Sequence, residues 1–204
     1  MKTFPDGFRW LQHHLDAGEQ KTLLSSIRGI IAATPLYRPA MPRTGKPFSV
    51  QMTNCGTLGW VSDKERGYRY QATHPVTGQQ WLPIPDQLQK LWADVAEFPA
   101  PPEACLINYY GSNNKMGSHT DSDEQTFDAP VVSISLGDTA TFHVGGSKRT
   151  DPKHRIRLQS GDVAVLGGAS RRAYHGIDRV FANSSALLPE GGRINLTLRR
   201  VTAC

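Results

Sequence analysis

Cysteine is scarce in this chain of 204 residues, which has only Cys55, Cys105 and Cys204, at no paired spacing. Such usage argues against a disulfide scaffold or a zinc site and favours a reducing compartment. Long apolar runs are also missing. The N-terminal residues show no signal-peptide pattern, and nothing approaches the roughly 20 apolar residues of a membrane-spanning helix. We therefore expect a cytoplasmic protein without a membrane partner.

Internal repeats, low-complexity segments and linkers are likewise missing, which predicts a single domain over residues 1–204. Acidic residues are outnumbered by basic ones, giving a formal charge of +5 and a pI near 9.2. A basic balance favours an anionic partner such as nucleic acid, although it does not require one.

Two helices are predicted in the first half of the chain. Asp16 and Glu19 can form a capping box for a helix that runs to about Ala33. The second helix follows Pro85 and stops before a proline cluster at 99–102. Apolar residues at helical spacing would bury one face of each helix: Leu23, Leu24, Ile27, Ile30 and Ile31 in the first, and Leu88, Leu91, Val95 and Phe98 in the second.

The rest of the pattern is short strands. The stretch between the helices is rich in glycine and proline and predicts turns, so residues 1–103 are expected to supply helices and a recognition lid. A core of about 104–201 would follow. Many short strands separated by such turns are typical of a sandwich or jelly roll, with the helices covering one sheet. The predicted strands are 104–110, 131–136, 140–144, 154–158, 162–166, 177–181 and 193–201.

The first sign of a functional site is the motif His119-Thr-Asp121, which is followed further along the chain by His175. Residues two apart on a strand or tight turn project to the same side, so His119 and Asp121 can reach one metal ion while Thr120 points away. Two imidazoles and one carboxylate can occupy one face of an octahedral iron(II) and leave three adjacent positions open. His-x-Asp alone arises often by chance, so the motif needs support from elsewhere in the chain.

That support is the alternating run from Arg193 to Arg199, which fits a half-buried strand. Arg193, Asn195 and Arg199 share one face of this strand. A surface strand whose polar face meets water is the plain alternative. Because the run lies shortly after His175, it can line the same cavity, where a guanidinium suits the end of a dicarboxylate. Metal triad and arginine together indicate an oxygenase that uses 2-oxoglutarate.

With these residues in place, the sequence resembles the AlkB-type iron(II)/2-oxoglutarate dioxygenases, which repair alkylated nucleic acid. The resemblance runs in unbroken order over about residues 50 to 201. Leu166 departs from the pattern, since some relatives carry Trp there, and the segment between Trp60 and Tyr68 is one residue longer than in some members. The matching stretches are MTNCGTLGW (52–60), NYY (108–110), MGSHTDSDE (116–124), PVVSISLG (130–137), GGSKRTDP (145–152), GDV (161–163), YHG (174–176) and the run 193–199.

The resemblance implies a double-stranded β-helix with Fe(II) as cofactor and 2-oxoglutarate and O2 as co-substrates. Fe(II) would be held by His119, Asp121 and His175. Arg193 would bind the distal carboxylate of 2-oxoglutarate, and Arg199 would lie near its metal-side carboxylate or Asp121. The full set of expected 2-oxoglutarate contacts is Asn108, Tyr110, Arg193, Asn195 and Arg199.

Four further residues are candidates for substrate contact. Trp60, in a glycine-flanked loop, would stack on a base, and Tyr68 lies among basic residues that suit a nucleotide strand. Asp123 would favour a cationic methylated base. The resemblance places the basic segment 148–157, with Arg155 and Arg157, next to the cavity, where it would contact phosphates, with Arg149 nearest the base. Each has a plain alternative, namely core packing for Trp60 and solvated loops for the others.

The predicted activity is oxidative demethylation of 1-methyladenine and 3-methylcytosine in single-stranded DNA or RNA, with release of formaldehyde, succinate and CO2. A target inside a duplex would have to be flipped out. We expect a monomer with no obligate protein partner. Two alternatives stay open at this point: a 2-oxoglutarate-dependent hydroxylase of a protein or small molecule, and a non-catalytic nucleic-acid-binding module.

Overall fold

Two antiparallel sheets form the body of the protein, of which the computed structural model describes residues 4–203. Every strand pair in both sheets is antiparallel, and the two inner faces share one apolar cluster, to which Leu106, Phe142 and Ile177 belong. The jelly roll predicted from the strand pattern is therefore confirmed. The larger sheet has six strands in the spatial order β1 (Phe8–Leu11), β10 (Val163–Leu166), β7 (Val131–Gly137), β12 (Arg193–Arg199), β5 (Ala104–Tyr110) and β2 (Gln51–Gly56).

The smaller sheet carries the metal-binding motif at one end. A separate two-stranded hairpin lies between the two helices in the sequence. The smaller sheet has the order β6 (Met116–His119), β11 (His175–Val180), β8 (Ala140–Val144) and β9 (His154–Leu158), and the hairpin is β3 (Gly59–Asp63) with β4 (Gly67–Gln71).

Both predicted helices are present and cover the outer face of the larger sheet. Helix α1 (Ala17–Ala33) begins with the expected capping box between Asp16 and Glu19. Helix α2 (Asp86–Val95) ends earlier than predicted, so Phe98 packs partly buried after the helix and not on its face. Within residues 4–203, no helix combines the length and apolar character needed to cross a membrane.

The predicted turns between the helices are present, but the prediction missed β2, β3 and β4, which also lie there. Strand β2 is buried on both faces, and its polar side chains are satisfied internally: the Thr53 hydroxyl donates to the Thr34 carbonyl at 2.8 Å, and the Asn54 amide donates to the Trp60 carbonyl at 3.0 Å. A strand buried on both faces shows no polar–apolar alternation, which is why the sequence pattern missed it. Strands β1 and β2 form the two edges of the larger sheet, which thus draws on residues before 104.

Other strand boundaries differ by a few residues. Strand β1 and strand β6 were not predicted, and β6 is the strand that ends at His119. The strand predicted at 177–181 begins at His175, the strand predicted at 193–201 ends at Arg199, and the one predicted at 162–166 begins at Val163. His175 therefore sits within regular structure, paired with a neighbouring strand on each side.

Candidate metal centre and substrate pocket

The structure brings His119, Asp121 and His175 together. His119 ends β6, His175 begins β11, and the two residues are direct partners across these strands, with ring centroids 4.5 Å apart. The His119 Nε2 atom lies 3.8 Å from Asp121 Oδ1, and the His175 Nε2 atom lies 3.8 Å from Asp121 Oδ2. In the described part of the chain, this is the one group of three His, Cys, Asp or Glu residues whose potential ligand atoms converge, all within 4.8 Å.

The hydrogen bonds around this triad leave three ligand atoms free. The Nδ1 atoms of His119 and His175 donate to the carbonyls of Gly117 and Ala173, each at 2.9 Å, which fixes the tautomer that presents Nε2 as a lone pair. Burial lowers the pKa of His175 to about 4, and the neighbouring His119 adds to this effect, so His175 is neutral at pH 7. Asp121 Oδ2 is buried and has no hydrogen-bond partner. This donor set fits a divalent iron.

Arg199 fixes the other oxygen of Asp121. Its Nη2 donates to Asp121 Oδ1 at 2.9 Å, close to where the sequence placed it. Burial by itself raises the pKa of the Asp121 carboxyl, but Arg199, His175 and His119 outweigh burial and hold that pKa well below its usual range. Asp121 is therefore an anion at any physiological pH.

Strand β12 carries the predicted polar face, and the expected alternation is confirmed. Arg193, Asn195 and Arg199 line the cavity, while the intervening apolar residues join the core under the helices. The expectation of a half-buried strand is wrong, because all seven residues of β12 are buried. The polar face meets the cavity between the two sheets, and its residues are at most 7% exposed.

Arg193 is a buried cation to which the described residues 4–203 supply no counter-ion. Its side chain is 1% exposed, its Nη2 donates to Ser135 Oγ at 3.0 Å, and its Nε and Nη1 have no hydrogen-bond partner. No carboxylate of residues 4–203 forms an ion pair with it, and its guanidinium lies 5.3 Å from the centroid of the Tyr110 ring. Burial lowers the pKa of Arg193. An unpaired buried charge is costly, so this arrangement fits an anionic ligand.

Asn108 and Tyr110 lie beside this arginine face, because the neighbouring strand β5 pairs Tyr110 with Arg193 and Asn108 with Asn195 in the same sheet. This corrects the expectation that they approach 2-oxoglutarate from the side opposite Arg193. Asn108 Oδ1 is buried without a partner. Burial raises the pKa of Tyr110 to about 12, so its hydroxyl stays protonated and can donate. The cavity is lined by Leu106, Asn108, Tyr110, Met116, His119, Asp121, Val131, Ser133, Phe142, Leu166, His175, Gly176, Ile177, Arg193, Asn195, Thr197 and Arg199.

Asn195 lines the cavity, but its amide is already used. Its Nδ2 donates to Ser133 Oγ at 2.7 Å and to the Ile134 carbonyl at 3.1 Å, and its Oδ1 accepts from Thr197 Oγ1 at 3.1 Å. Both amide hydrogens are thus committed to the protein. Asn195 can shape the cavity but has no free hydrogen to donate to a ligand.

Trp60 lies in a regular strand, which corrects the predicted flexible loop. Gly59 is needed for close packing, because a Cβ there would come within 2.5 Å of the Trp81 indole nitrogen. Trp60 stacks on the exposed Tyr68 with ring centroids 5.5 Å apart, and its Nε1 donates to Asp123 Oδ2 at 2.7 Å. Three of the four predicted substrate residues therefore form one aromatic and acidic cluster.

Arg149, the fourth predicted substrate residue, lies on a loop that is hydrogen-bonded to Tyr174, the residue before His175. Gly145 and Tyr174 are linked by a hydrogen bond of 2.8 Å from the glycine N–H, and the Arg149 guanidinium lies 5.4 Å from the Tyr174 ring centroid. The expectation that the rest of the basic segment borders the cavity is wrong for Arg155 and Arg157. Their β9 neighbours Ile156 and Leu158 face inward, so both arginines point outward, where Arg155 pairs with Asp178 and Arg157 lies over Phe181.

Sequence reasoning missed a second set of buried charges beside the metal centre. Glu124, Arg171 and Tyr70 contact Arg199 or the Asp121 loop, and the two charged side chains are 1–3% exposed. Glu124 was visible only as part of an acidic run, and Arg171 stands in an unremarkable pair of arginines. Burial of charge depends on the tertiary fold, so no local pattern identified either residue.

The facing sheets, the converged triad and the buried arginine define a non-haem iron oxygenase that binds a dicarboxylate. Comparison with known proteins agrees: residues 7–199 match the model of the 2OG-Fe(II) oxygenase superfamily. An AlkB homologue of Caulobacter vibrioides, described as an alpha-ketoglutarate-dependent dioxygenase, is 48% identical over 91% of this chain and 84% of its own. The chain belongs to the AlkB family of Fe(II)- and 2-oxoglutarate-dependent dioxygenases.

Two further comparisons extend the likeness to structure and to a named activity. The solved structure of OsALKBH1 superposes with a TM-score of 0.82 at 30% identity, covering 98% of this chain and 100% of that one. ALKBH1A of Arabidopsis thaliana, named a DNA N(6)-methyladenine demethylase, is 36% identical over 58% of this chain and 41% of its own. The fold resemblance thus spans the whole described chain.

Proposed function

We propose that this protein removes methyl groups oxidatively from alkylated nucleic-acid bases, with 1-methyladenine and 3-methylcytosine in single strands as substrates. The observation that carries the proposal is the pairing of a converged His119–Asp121–His175 triad with the unpaired, buried Arg193 in one cavity. A binding module needs neither feature. The name of the Arabidopsis relative supports a nucleic-acid substrate.

In this proposal, Fe(II) is held by the Nε2 atoms of His119 and His175 and by Asp121 Oδ2. Each of these atoms is free of hydrogen bonds to protein. Bound iron would supply, with 2-oxoglutarate and O2, an oxidation in which 2-oxoglutarate loses CO2 and takes one oxygen atom to become succinate, while the other oxygen atom enters a substrate C–H bond. The protein's own contribution is to bind, orient and exclude water.

Arg193 binds the distal carboxylate of 2-oxoglutarate through its unpartnered Nε and Nη1. The Tyr110 hydroxyl and the Asn108 amide donate from the neighbouring strand β5, and Asn195 shapes the wall of the site. Apolar side chains of both sheets keep the reacting centre dry, which strengthens each of these charge interactions.

The substrate base is recognised by the cluster on the hairpin and the metal loop. Trp60 and Tyr68 offer aromatic faces for stacking. Asp123 accepts from Trp60 through one oxygen, which leaves its other oxygen for the exocyclic amine of a cationic methylated base. Arg149 contacts a phosphate beside the reactive nucleotide. Addition of oxygen to the N-methyl group gives a hydroxymethyl adduct. Its C–N bond then breaks with the electron pair returning to the ring nitrogen, which releases formaldehyde, passes the hydroxyl proton to solvent and restores the neutral base.

The test is a product balance on oligonucleotides that carry a single 1-methyladenine or 3-methylcytosine, in DNA and in RNA, with Fe(II), 2-oxoglutarate and O2. We expect one formaldehyde, one succinate and one restored base for each turnover. The His175→Ala variant is the matched control and should release none. Consumption of 2-oxoglutarate only with a protein or small-molecule substrate would replace this proposal with the hydroxylase alternative.

A further inference from the structure

A chain of buried contacts runs from the hairpin β3–β4 to the Asp121 carboxylate. The Tyr70 hydroxyl, on β4, donates to Glu124 Oε1 at 2.6 Å and accepts from Arg199 Nη1 at 3.2 Å. Arg199 Nε lies 3.5 Å from the same Glu124 oxygen, and Arg199 Nη2 donates to Asp121 Oδ1 at 2.9 Å. Each nitrogen of the Arg199 guanidinium therefore lies next to Tyr70, Glu124 or Asp121.

Arg171 closes this arrangement from the other side. Its Nη2 lies 3.3 Å from Glu124 Oε2, its Nη1 donates to the Asp121 carbonyl at 3.1 Å, and its Nε donates to the Ala129 carbonyl at 2.8 Å. The cluster thus holds two guanidiniums and two carboxylates. All four charged side chains are at most 7% exposed. Removing one charge would leave another buried and unpaired, so the members depend on one another.

The geometry divides the two oxygens of Asp121 between different tasks. Arg199 occupies Oδ1, and Oδ2 is left without a hydrogen-bond partner. The orientation of Arg199 in turn depends on Glu124 and Tyr70. Tyr70 is the uncharged residue of this cluster, and it belongs to the β3–β4 hairpin. Trp60 of the same hairpin donates to Asp123, which precedes Glu124 in the loop after β6. Adjacent loop residues are therefore each bound by the hairpin.

We propose that Tyr70 and Glu124 are positioning residues that hold Arg199 where it fixes Asp121, so that docking of the β3–β4 hairpin and metal binding stabilise each other. The inference rests on the proposed role of Asp121 as a metal ligand. Residues that orient ligands typically change metal affinity by about 10–100-fold when replaced. Coupling between two sites is reciprocal, so metal binding must also stabilise the docked hairpin.

The first test is anaerobic titration of the metal-free protein with Mn(II), a redox-inert probe in these conditions. We expect Tyr70→Phe, which removes one hydroxyl, to weaken Mn(II) binding by roughly tenfold or more. Tyr109→Phe is the matched control, because that hydroxyl bonds the Gly191 carbonyl at 3.3 Å on the opposite face of β5. Tyr109→Phe should bind Mn(II) as the parent does, even if both variants melt at a lower temperature.

The second test is hydrogen exchange of the hairpin amides, over Gly59–Asp63 and Gly67–Gln71, with and without Mn(II). In the parent, metal should slow this exchange, and in Tyr70→Phe the slowing should be much smaller. Glu124→Gln should show the same loss, and if it does not fold, Tyr70→Phe carries the test alone. A parent that binds no Mn(II) would overturn the proposed metal site itself. A parent that binds Mn(II), with Tyr70→Phe equal in affinity and in exchange response, would overturn this inference alone.

Discussion

Replacing Arg193 by Met should abolish most 2-oxoglutarate binding without destabilising the ligand-free protein. The guanidinium is buried, makes one hydrogen bond to Ser135 and has no ion-pair partner among residues 4–203. Loss of one partner of a buried charge pair costs roughly 2–5 kcal/mol, which corresponds to a Kd raised about 30-fold or more. Met has similar length and removes a buried, uncompensated charge, so the stability of the free protein should hold or rise.

The assay is thermal unfolding with Mn(II), with and without 2-oxoglutarate at about 100 times the parent Kd. The parent should gain about 2.7 kcal/mol from the ligand. A variant whose Kd is about 100-fold higher should gain only about 0.4 kcal/mol at the same concentration. Arg193→Lys keeps the charge without the planar fork and should fall between the two. An undiminished 2-oxoglutarate shift in Arg193→Met would show that Arg193 does not bind the co-substrate.

The remaining predictions concern the substrate side. Trp60→Ala should weaken binding of a methylated oligonucleotide by about 1–3 kcal/mol in a fluorescence titration, while 2-oxoglutarate binding is unchanged. Trp60→Phe should recover much of the loss, and equal oligonucleotide affinity in the parent and both variants would exclude stacking. Asp123→Asn, which keeps an acceptor but removes the charge, should lower kcat/KM more on cationic 1-methyladenine than on a neutral methylated base, and equal losses would contradict the charge role. Activity at subsaturating oligonucleotide should fall as salt rises, and Arg149→Gln should reduce the slope of log K against log salt by about 0.7; an unaltered slope would remove Arg149 from the phosphate contacts.

Sequence patterns predicted the helices and strands best where a regular spacing of apolar residues is visible. Helix α1 has the predicted capping box and bounds, because one of its faces meets the core and the other meets water. Strands β5 and β8 also have the predicted bounds. The converging triad was predicted from His-x-Asp spacing and a later histidine. Local geometry places only His119 and Asp121 on one side. His175 reaches them through the pairing of β11 with β6, which the resemblance to the AlkB-type dioxygenases implied.

The sequence failed where burial on both sides or tertiary contact decides the structure. Strand β2 has no alternation to detect, and the glycine before Trp60 serves close packing against Trp81, although a glycine by itself suggests a loop. The charges of Glu124 and Arg171 look solvent-exposed in sequence, and only the fold brings them together. The resemblance placed Arg155 and Arg157 next to the cavity, but strand alternation turns them outward.

The most direct test of the central claim is the mass of an oligonucleotide with one 1-methyladenine, before and after incubation with the protein, Fe(II), 2-oxoglutarate and O2. We predict that the parent lowers the mass by one CH2 unit and that Asp121→Ala leaves it unchanged. An unchanged mass with the parent, under conditions in which the protein binds iron and 2-oxoglutarate, would contradict oxidative demethylation. A stable gain of one oxygen atom without loss of CH2 would also contradict it and would identify a hydroxylase.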